Sequence, residues 1–271
     1  MQKNESKIVE ERIMKMKKLV SLVLVAACTL SLAACGSKSE EASSSDEGKK
    51  ETLVMATNAE FPPYEFYEGE EIVGIDADIA AAIAEELGME LKIEDMAFDS
   101  IIGAVTSGKA DIGAAGMTVT PEREESVAFT DTYAHATQVI IVKEDSAIAG
   151  PDDLAGKTVG VQLGTTGDIY AEDIEDVTIE RYNKGFEAVQ ALTQGKIDAV
   201  VIDGQPAKEF VADAEGLKIL DEAFTEEDYA IAVAKDNTEL VEKINDALTK
   251  LKESGKLDEI VAKYISADDA E

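Results

Sequence analysis

Arg123 closes the run Ala114-Ala115-Gly116-Met117-Thr118-Val119-Thr120-Pro121-Glu122-Arg123. Thr120 has the chemistry of a helix N-cap and Pro121 that of a first helical residue. Arg123 then falls in the first helical turn, where a cation opposes the helix dipole and needs a partner. A carboxylate fits the guanidinium fork bidentately. On the sequence alone that carboxylate belongs either to a ligand or to the surface neighbours Glu124 and Glu125.

A second segment, Gly160-Val161-Gln162-Leu163-Gly164-Thr165-Thr166-Gly167, reads as a strand running into a Gly-Thr-rich helix start. Free N–H groups at such a start hold anions. No Gly-Lys-Ser/Thr follows at the P-loop spacing, so a single carboxylate suits it better than a triphosphate. A third position is Asp203, directly after the apolar run Ala199-Val200-Val201-Ile202. There it either meets an ammonium or caps a turn before Gly204. Together with Arg123 and the Thr165 turn, it would complete a site for a zwitterion. Asn58-Ala59-Glu60-Phe61-Pro62-Pro63-Tyr64-Glu65-Phe66 adds aromatic faces beside polar groups. Phe61 and Phe98 are suited to cover an aliphatic or delocalised group.

These segments need elements that bring strand ends together, because ligands in open α/β sheets bind beyond the C-terminal ends of strands. The chain supplies an alternating series. Strands are expected at Thr52–Ala56, Glu90–Glu94, Asp111–Ala115, Lys157–Gln162 and Ala199–Ile202. Helices are expected at Ile75–Leu87, capped by Gly88, then at Ser100–Thr106, Phe186–Leu192, Glu239–Glu253 and Leu257–Ile265. Such alternation predicts an α/β fold with largely parallel sheets. Ala104-Val105-Thr106-Ser107-Gly108-Lys109-Ala110-Asp111 recurs as Ala191-Leu192-Thr193-Gln194-Gly195-Lys196-Ile197-Asp198, identical at five of eight positions. Both copies read as helix end, glycine cap and entry to a buried strand, which suggests two similar lobes.

The N-terminal part has a different character. Met16-Lys17-Lys18 precedes an uncharged run from Leu19 to Ala34, too short for a comfortable membrane span. A basic start, a short apolar core and small residues read as an export signal over residues 1–34, with Met16 as the more natural start. Leu32-Ala33-Ala34-Cys35 resembles the lipobox of bacterial lipoproteins, which implies lipidation of Cys35 and a protein held outside the cytoplasm on the cell membrane. Residues 35–51, rich in Ser, Glu, Lys and Gly, read as a flexible tether.

Composition narrows the function classes. The 271 residues carry 25 Lys and Arg against 57 Asp and Glu, a net charge of −32; such a surface repels nucleic acid and anionic lipid, and no nucleic-acid partner is expected. Cys28 falls in the signal and Cys35 is the anchor, so the body has no thiol chemistry. With one histidine, His135, a Ser-His-Asp triad has one place to form. Asp76 and Asp78 fail as an EF-hand start, because Ala80 and Ala81 stand where a ligand and a glycine are needed. No metal or cofactor is expected, and the body is expected to be a monomer.

Gly74-Ile75-Asp76-Ala77-Asp78-Ile79 resembles the signature of the family 3 extracellular solute-binding proteins of ABC importers. The likeness extends to Phe61-Pro62-Pro63-Tyr64-Glu65-Phe66, Ala128-Phe129-Thr130-Asp131, Gly156-Lys157-Thr158-Val159-Gly160-Val161 and the two Gly-Lys-x-Asp corners. It spans Thr52 to Ile265, with Ala77 where the family usually has a larger aliphatic residue. The resemblance implies a type II periplasmic-binding-protein-like fold. Its lobes, 52–133 plus 230–271 and 134–229, each hold a mostly parallel sheet flanked by helices. Two hinge strands join them, the first crossing near Tyr133–Thr137 and the return near Glu226–Ala230, with His135 at the hinge. It also implies that Arg123 holds an α-carboxylate with the backbone at Thr118 and Thr166. Asp203 and the backbone of Gly116 would hold the α-amino group. Asn58, Phe61, Phe98, Ala115 and Gln162 would line the side-chain pocket, and a membrane permease would be the partner. Arginine, glutamine and histidine are the candidate ligands. The rival is an enzyme on the same fold, similar to a cyclohexadienyl dehydratase, for which Glu60 is the extra acid beside the pocket.

Overall fold

The computed structural model describes residues 50–266 apart from Asp213. The export signal, Cys35 and nearly all of the 35–51 tether lie outside the described residues.

The first lobe begins with β1 (Thr52–Thr57), which buries Leu53, Met55 and Ala56. A small antiparallel sheet follows, formed by β2 (Glu60–Phe61), β3 (Glu65–Glu68) and β4 (Glu71–Val73). Helix α1 (Ile75–Leu87) has Ile75, Ile79 and Ile83 four apart on its buried face. It stops at Gly88, whose φ of 71° lets its N–H reach the carbonyls of Ala84 and Glu85. β5 (Glu90–Asp95) pairs with β1 in parallel. A 3₁₀ turn at Phe98–Ser100 leads into α2 (Ile101–Thr106). β6 (Ile112–Gly113) joins the other side of β1, also in parallel. Helix α3 (Pro121–Glu124) and β7 (Val127–Phe129) complete this stretch.

The second sheet opens with β8 (Ala134–Lys143), the element that organises the lobe. Around it the chain lays β9 (Thr158–Gln162), α4 (Thr166–Ala171), β10 (Thr178–Tyr182), α5 (Gly185–Thr193), β11 (Ala199–Asp203), α6 (Gly204–Ala212), β12 (Leu217–Ile219) and β13 (Thr225–Tyr229). The strand order is β10-β9-β11-β8-β12, with β13 also on β8. The chain then returns to the first sheet as β14 (Ala232–Ala234), between β6 and β7. Two helices close the described chain, α7 (Thr238–Glu253) and α8 (Lys256–Tyr264). Ile244, Ala247, Leu248 and Leu251 of α7 pack with Leu53, Ile79 and Ile83 in the first lobe's core. Ile140, Val142, Val159, Val161 and Val201 form a separate core in the second.

Alternation alone suggests largely parallel sheets, but both are mixed. In each sheet three strands pair in parallel, β5-β1-β6 and β10-β9-β11. The strands next to the crossings, β14 and β7 in one sheet and β8, β12 and β13 in the other, add antiparallel pairs. A chain that leaves one sheet and comes back beside its own exit must run antiparallel there. The two passages, 130–133 and 230–231, lie side by side. The Thr130 N–H donates to the Ile231 carbonyl at 3.0 Å, and that of Tyr133 to the Tyr229 carbonyl at 2.9 Å. Among the described residues no helix is long and apolar enough to cross a membrane.

Candidate ligand-binding site

The C-terminal ends of the parallel strands point their following loops at one pocket. Its lining contains all eleven positions singled out in the sequence: Asn58, Phe61, Phe98, Ala115, Gly116, Thr118, Arg123, Gln162, Thr165, Thr166 and Asp203. A twelfth residue, Glu65, joins them.

Arg123 sits where the local sequence places it. Thr120 is in extended conformation and its Oγ1 accepts from the Arg123 N–H at 3.2 Å, with Pro121 at the first helical position. The side chain is buried, only 6 % exposed, which rules out the surface pairing with Glu124 or Glu125. Nη1 donates to the Thr118 carbonyl at 2.8 Å and Nη2 to the Gly164 carbonyl at 3.1 Å. The guanidinium carbon lies 5.3 Å from the centre of the Phe98 ring. Among the described residues no carboxylate is within ion-pair distance of it. Burial lowers its pKa, opposed by the charges of Glu227 and Asp203. The result is a desolvated cation whose direct partners among the described residues are neutral carbonyls and a ring.

The Gly-Thr segment is built as a helix start. Thr165 caps α4, its Oγ1 accepting from the Asp168 N–H at 3.4 Å. The Asp168 carboxylate in turn accepts from the N–H of Gly164, the residue before the cap, at 3.0 Å. Arg181 pins Asp168 from outside at 2.7 Å.

Asp203 ends β11, whose five residues are all buried. Burial, then the charge of Glu227, push its pKa up to about 7, while hydrogen bonds from Tyr229 and Gln138 pull the other way. The Tyr229 hydroxyl donates to Asp203 Oδ1. Glu227, on β13, accepts from Thr118 Oγ1 at 2.9 Å and from Gln138 Nε2 at 3.1 Å. Buried carboxyls therefore outnumber the one guanidinium, and the pocket is short of positive charge.

The walls come from both lobes. Gln162 Nε2 donates to Asn58 Oδ1 at 2.9 Å, and Asn58 Nδ2 donates to the Met96 carbonyl at 2.9 Å. Lys184, before α5, forms an ion pair with Glu60 of β2. Gly116 has φ of 53°, and a Cβ there would come within 2.9 Å of the Phe61 ring and 3.2 Å of Tyr229. Only glycine lets this loop lie flat against both rings.

Several participants were not singled out from the sequence. Glu227 lies in Thr225-Glu226-Glu227-Asp228-Tyr229, which looks like a solvated acidic run, yet it is buried by pairing with β8. Tyr229 and Gln138 are hidden in the same way. Lys184 gave no signal in the sequence. Glu65 sits inside the quoted Phe61–Phe66 motif, so that motif was the available clue. Glu60, the acid considered for an enzyme, has one carboxylate oxygen held by Lys184 and does not line the pocket. His135 faces Asp228 across β8 and β13 with its side chain exposed, away from the pocket.

Comparisons with known proteins identify the family. The sequence model of the bacterial extracellular solute-binding proteins, family 3, matches residues 53–267. The arginine-binding extracellular protein ArtP of Bacillus subtilis (strain 168) is 37 % identical over 259 residues, covering 93 % of this chain and all of that protein. An ancestral arginine-binding protein solved with arginine superposes with a TM-score of 0.76 at 43 % identity, covering 79 % of this chain and 97 % of that one. The structure of an ancestral arginine-binding protein bound to glutamine gives 0.76 at 42 % identity, covering 80 % and 99 %. Two α/β lobes around one pocket, with these relatives, place the fold among the type II periplasmic amino-acid-binding proteins. The chain belongs to the bacterial extracellular solute-binding proteins, family 3.

Proposed function

We propose that this protein is the receptor of an ABC importer. It captures a polar L-amino acid between its two lobes and delivers it to a membrane permease. Lipid on Cys35 tethers it to the outer face of the cell membrane. The observation that carries this reading is the pairing, in one pocket, of a buried Arg123 that has no carboxylate partner among the described residues with a buried Asp203 that has no cation among them. A zwitterion supplies both missing charges. Arg123 takes the α-carboxylate, with the backbone at Thr118 and Thr166. Asp203 and the backbone of Gly116 take the ammonium. Asn58, Gln162, Phe61, Phe98 and Ala115 surround the side chain with amides, rings and a small apolar surface. That wall suits a side chain both flat and polar, so arginine and glutamine lead, with histidine next.

A thermal-shift screen of the twenty amino acids tests the reading. Ligand at a thousandfold excess over Kd adds about 4 kcal/mol of stability, a shift of several degrees. A chain whose melting temperature moves with none of them is not an amino-acid receptor. For the anchor, Cys35→Ala should move the protein from the membrane fraction to the soluble one, and unchanged membrane association would remove that part of the reading.

A further inference from the structure

Glu65 opens β3, is fully buried, and lines the pocket. Among the described residues neither of its carboxyl oxygens meets a hydrogen-bond donor, and neither does Asp76 Oδ1. The polar group that faces Glu65 is the Asp76 carboxyl, itself buried at the start of α1. Two carboxyls are both acceptors when ionised, so this contact needs one proton. Asp76 Oδ2 already accepts from the Gly116 N–H at 2.7 Å and the Tyr133 hydroxyl at 2.8 Å. Those two donors favour its anion, and Glu65 has none. The proton therefore resides on Glu65. Burial first, then the charge of Asp76, push the Glu65 pKa well above the carboxylate range, and Asp203 adds to the effect. The hydroxyls of Tyr64 and Tyr133 also face the pair and supply no positive charge.

We propose that Glu65 works as a neutral carboxylic acid that positions the ammonium subsite. Its O–H donates a hydrogen bond to Asp76, and Asp76 in turn holds the N–H of Gly116 and so fixes the loop that meets the ligand. This deepens the amino-acid reading of the pocket and rests on it. Gly116 has no side chain to brace its loop, and its approach to Phe61 and Tyr229 allows none. The hydrogen bond that the Gly116 N–H donates to Asp76 is the brace, and Glu65 orients Asp76 without adding a second negative charge.

Two measurements on the full chain test this. The first is infrared spectroscopy of the ligand-free protein in D2O at about pH 8.5, where Asp203 and Asp76 are ionised. It should show a protonated carboxylic C=O band that is lost in Glu65→Gln. The second is calorimetry with L-arginine, or with whichever amino acid gives the largest thermal shift, on the wild type, Glu65→Gln and Glu65→Leu. The carboxamide keeps a donor for Asp76, so Glu65→Gln should bind within about threefold of wild type. Glu65→Leu removes the donor and should weaken binding about tenfold or more. A missing infrared band, or a Gln variant as weak as the Leu variant, overturns the proposal. If Glu65→Leu does not fold, the band and the Gln affinity decide. A wild type that binds no amino acid, with the band present, removes the receptor reading and the positioning role with it. A missing band with binding intact removes the proposal alone.

Discussion

The Asn58 side-chain carbonyl accepts a 2.9 Å hydrogen bond from Gln162 Nε2, joining the loop after β1 in one lobe to the end of β9 in the other. The bond fixes both amides at the pocket wall, and Met96 fixes Asn58 further from behind. These two residues therefore present a set polar pattern to whatever side chain lies there. Asn58→Ala or Gln162→Ala should change the order of preference among arginine, glutamine and histidine, with ratios of Kd moving by roughly tenfold, about 1.4 kcal/mol. Calorimetry with the three ligands on each variant reads this. Affinities that all fall by one factor, leaving the order intact, would show that this pair does not select the side chain.

Lys184 and Glu60 form another side-chain bridge between the lobes. Both side chains are partly exposed, at 39 % and 23 %, so the pair contributes in the range of surface ion pairs, roughly 0.2–1 kcal/mol. It favours the closed arrangement whichever ligand is inside. Lys184→Ala should weaken binding of every ligand equally, by up to about fivefold. The difference from wild type should shrink at about 1 M salt, where screening acts over a few ångströms. An effect confined to one ligand would place Lys184 in selectivity instead of closure.

Asp203 and Asp76 make both stability and affinity depend on pH, in opposite directions. Burial raises the Asp203 pKa from 3.8 to about 7 and the Asp76 pKa from 3.8 to about 6. Unfolding returns both to the ordinary value. Between about pH 4 and 7 the folded chain thus holds more protons than the unfolded chain, and unliganded stability should fall as pH rises through that window. If Asp203 holds the ligand's ammonium as proposed, that charge favours ionised Asp203, so affinity should rise from about pH 5 to 7 and then level off. Binding at about pH 6 should release a proton, which calorimetry in two buffers of different ionisation enthalpy detects. Proton uptake on binding, or affinity that falls over that range, would contradict the assignment of Asp203 to the ammonium.

The parts of this molecule legible in the sequence are those where one residue conflicts with its local setting or repeats with a clear period. Ile75, Ile79 and Ile83 announce α1 by spacing, and Val200 to Ile202 announce β11 by their apolar run. Arg123 in a helix's first turn and Asp203 at the end of a buried strand are charges in places that disfavour them, which marks them for a partner. Glu227 gives no such sign, because its neighbours Glu226 and Asp228 are as acidic as it is. It becomes buried only when β13 pairs with β8, nearly ninety positions away in the chain. The antiparallel part of each sheet is hidden for the same reason, since strand direction is set by where the chain crosses and local pattern carries no record of it. Glu65 and Asp76 show their joint role only once their carboxyls share one buried space.

The variants Arg123→Ala and Asp203→Ala address the two charges that every amino acid has in common. Arg123 is desolvated and held by carbonyls, so its loss leaves a ligand carboxylate buried without a counter-charge. Loss of Asp203 leaves the ammonium in a similar position and frees the Tyr229 hydroxyl. Breaking a buried charged pair costs about 2–5 kcal/mol, tens- to thousands-fold in Kd. The two losses should be of similar size for each ligand, and the order of preference should stay as in the wild type, unlike the Asn58 and Gln162 variants. Circular dichroism guards against misfolding, since both side chains also hold local structure. Arg123→Lys gives a second check: it keeps the charge but not the fork, and should fall between wild type and Arg123→Ala. A folded Arg123→Ala protein that binds its amino acid with unchanged affinity would mean that the carboxylate is held elsewhere, and the zwitterion site would have to be redrawn.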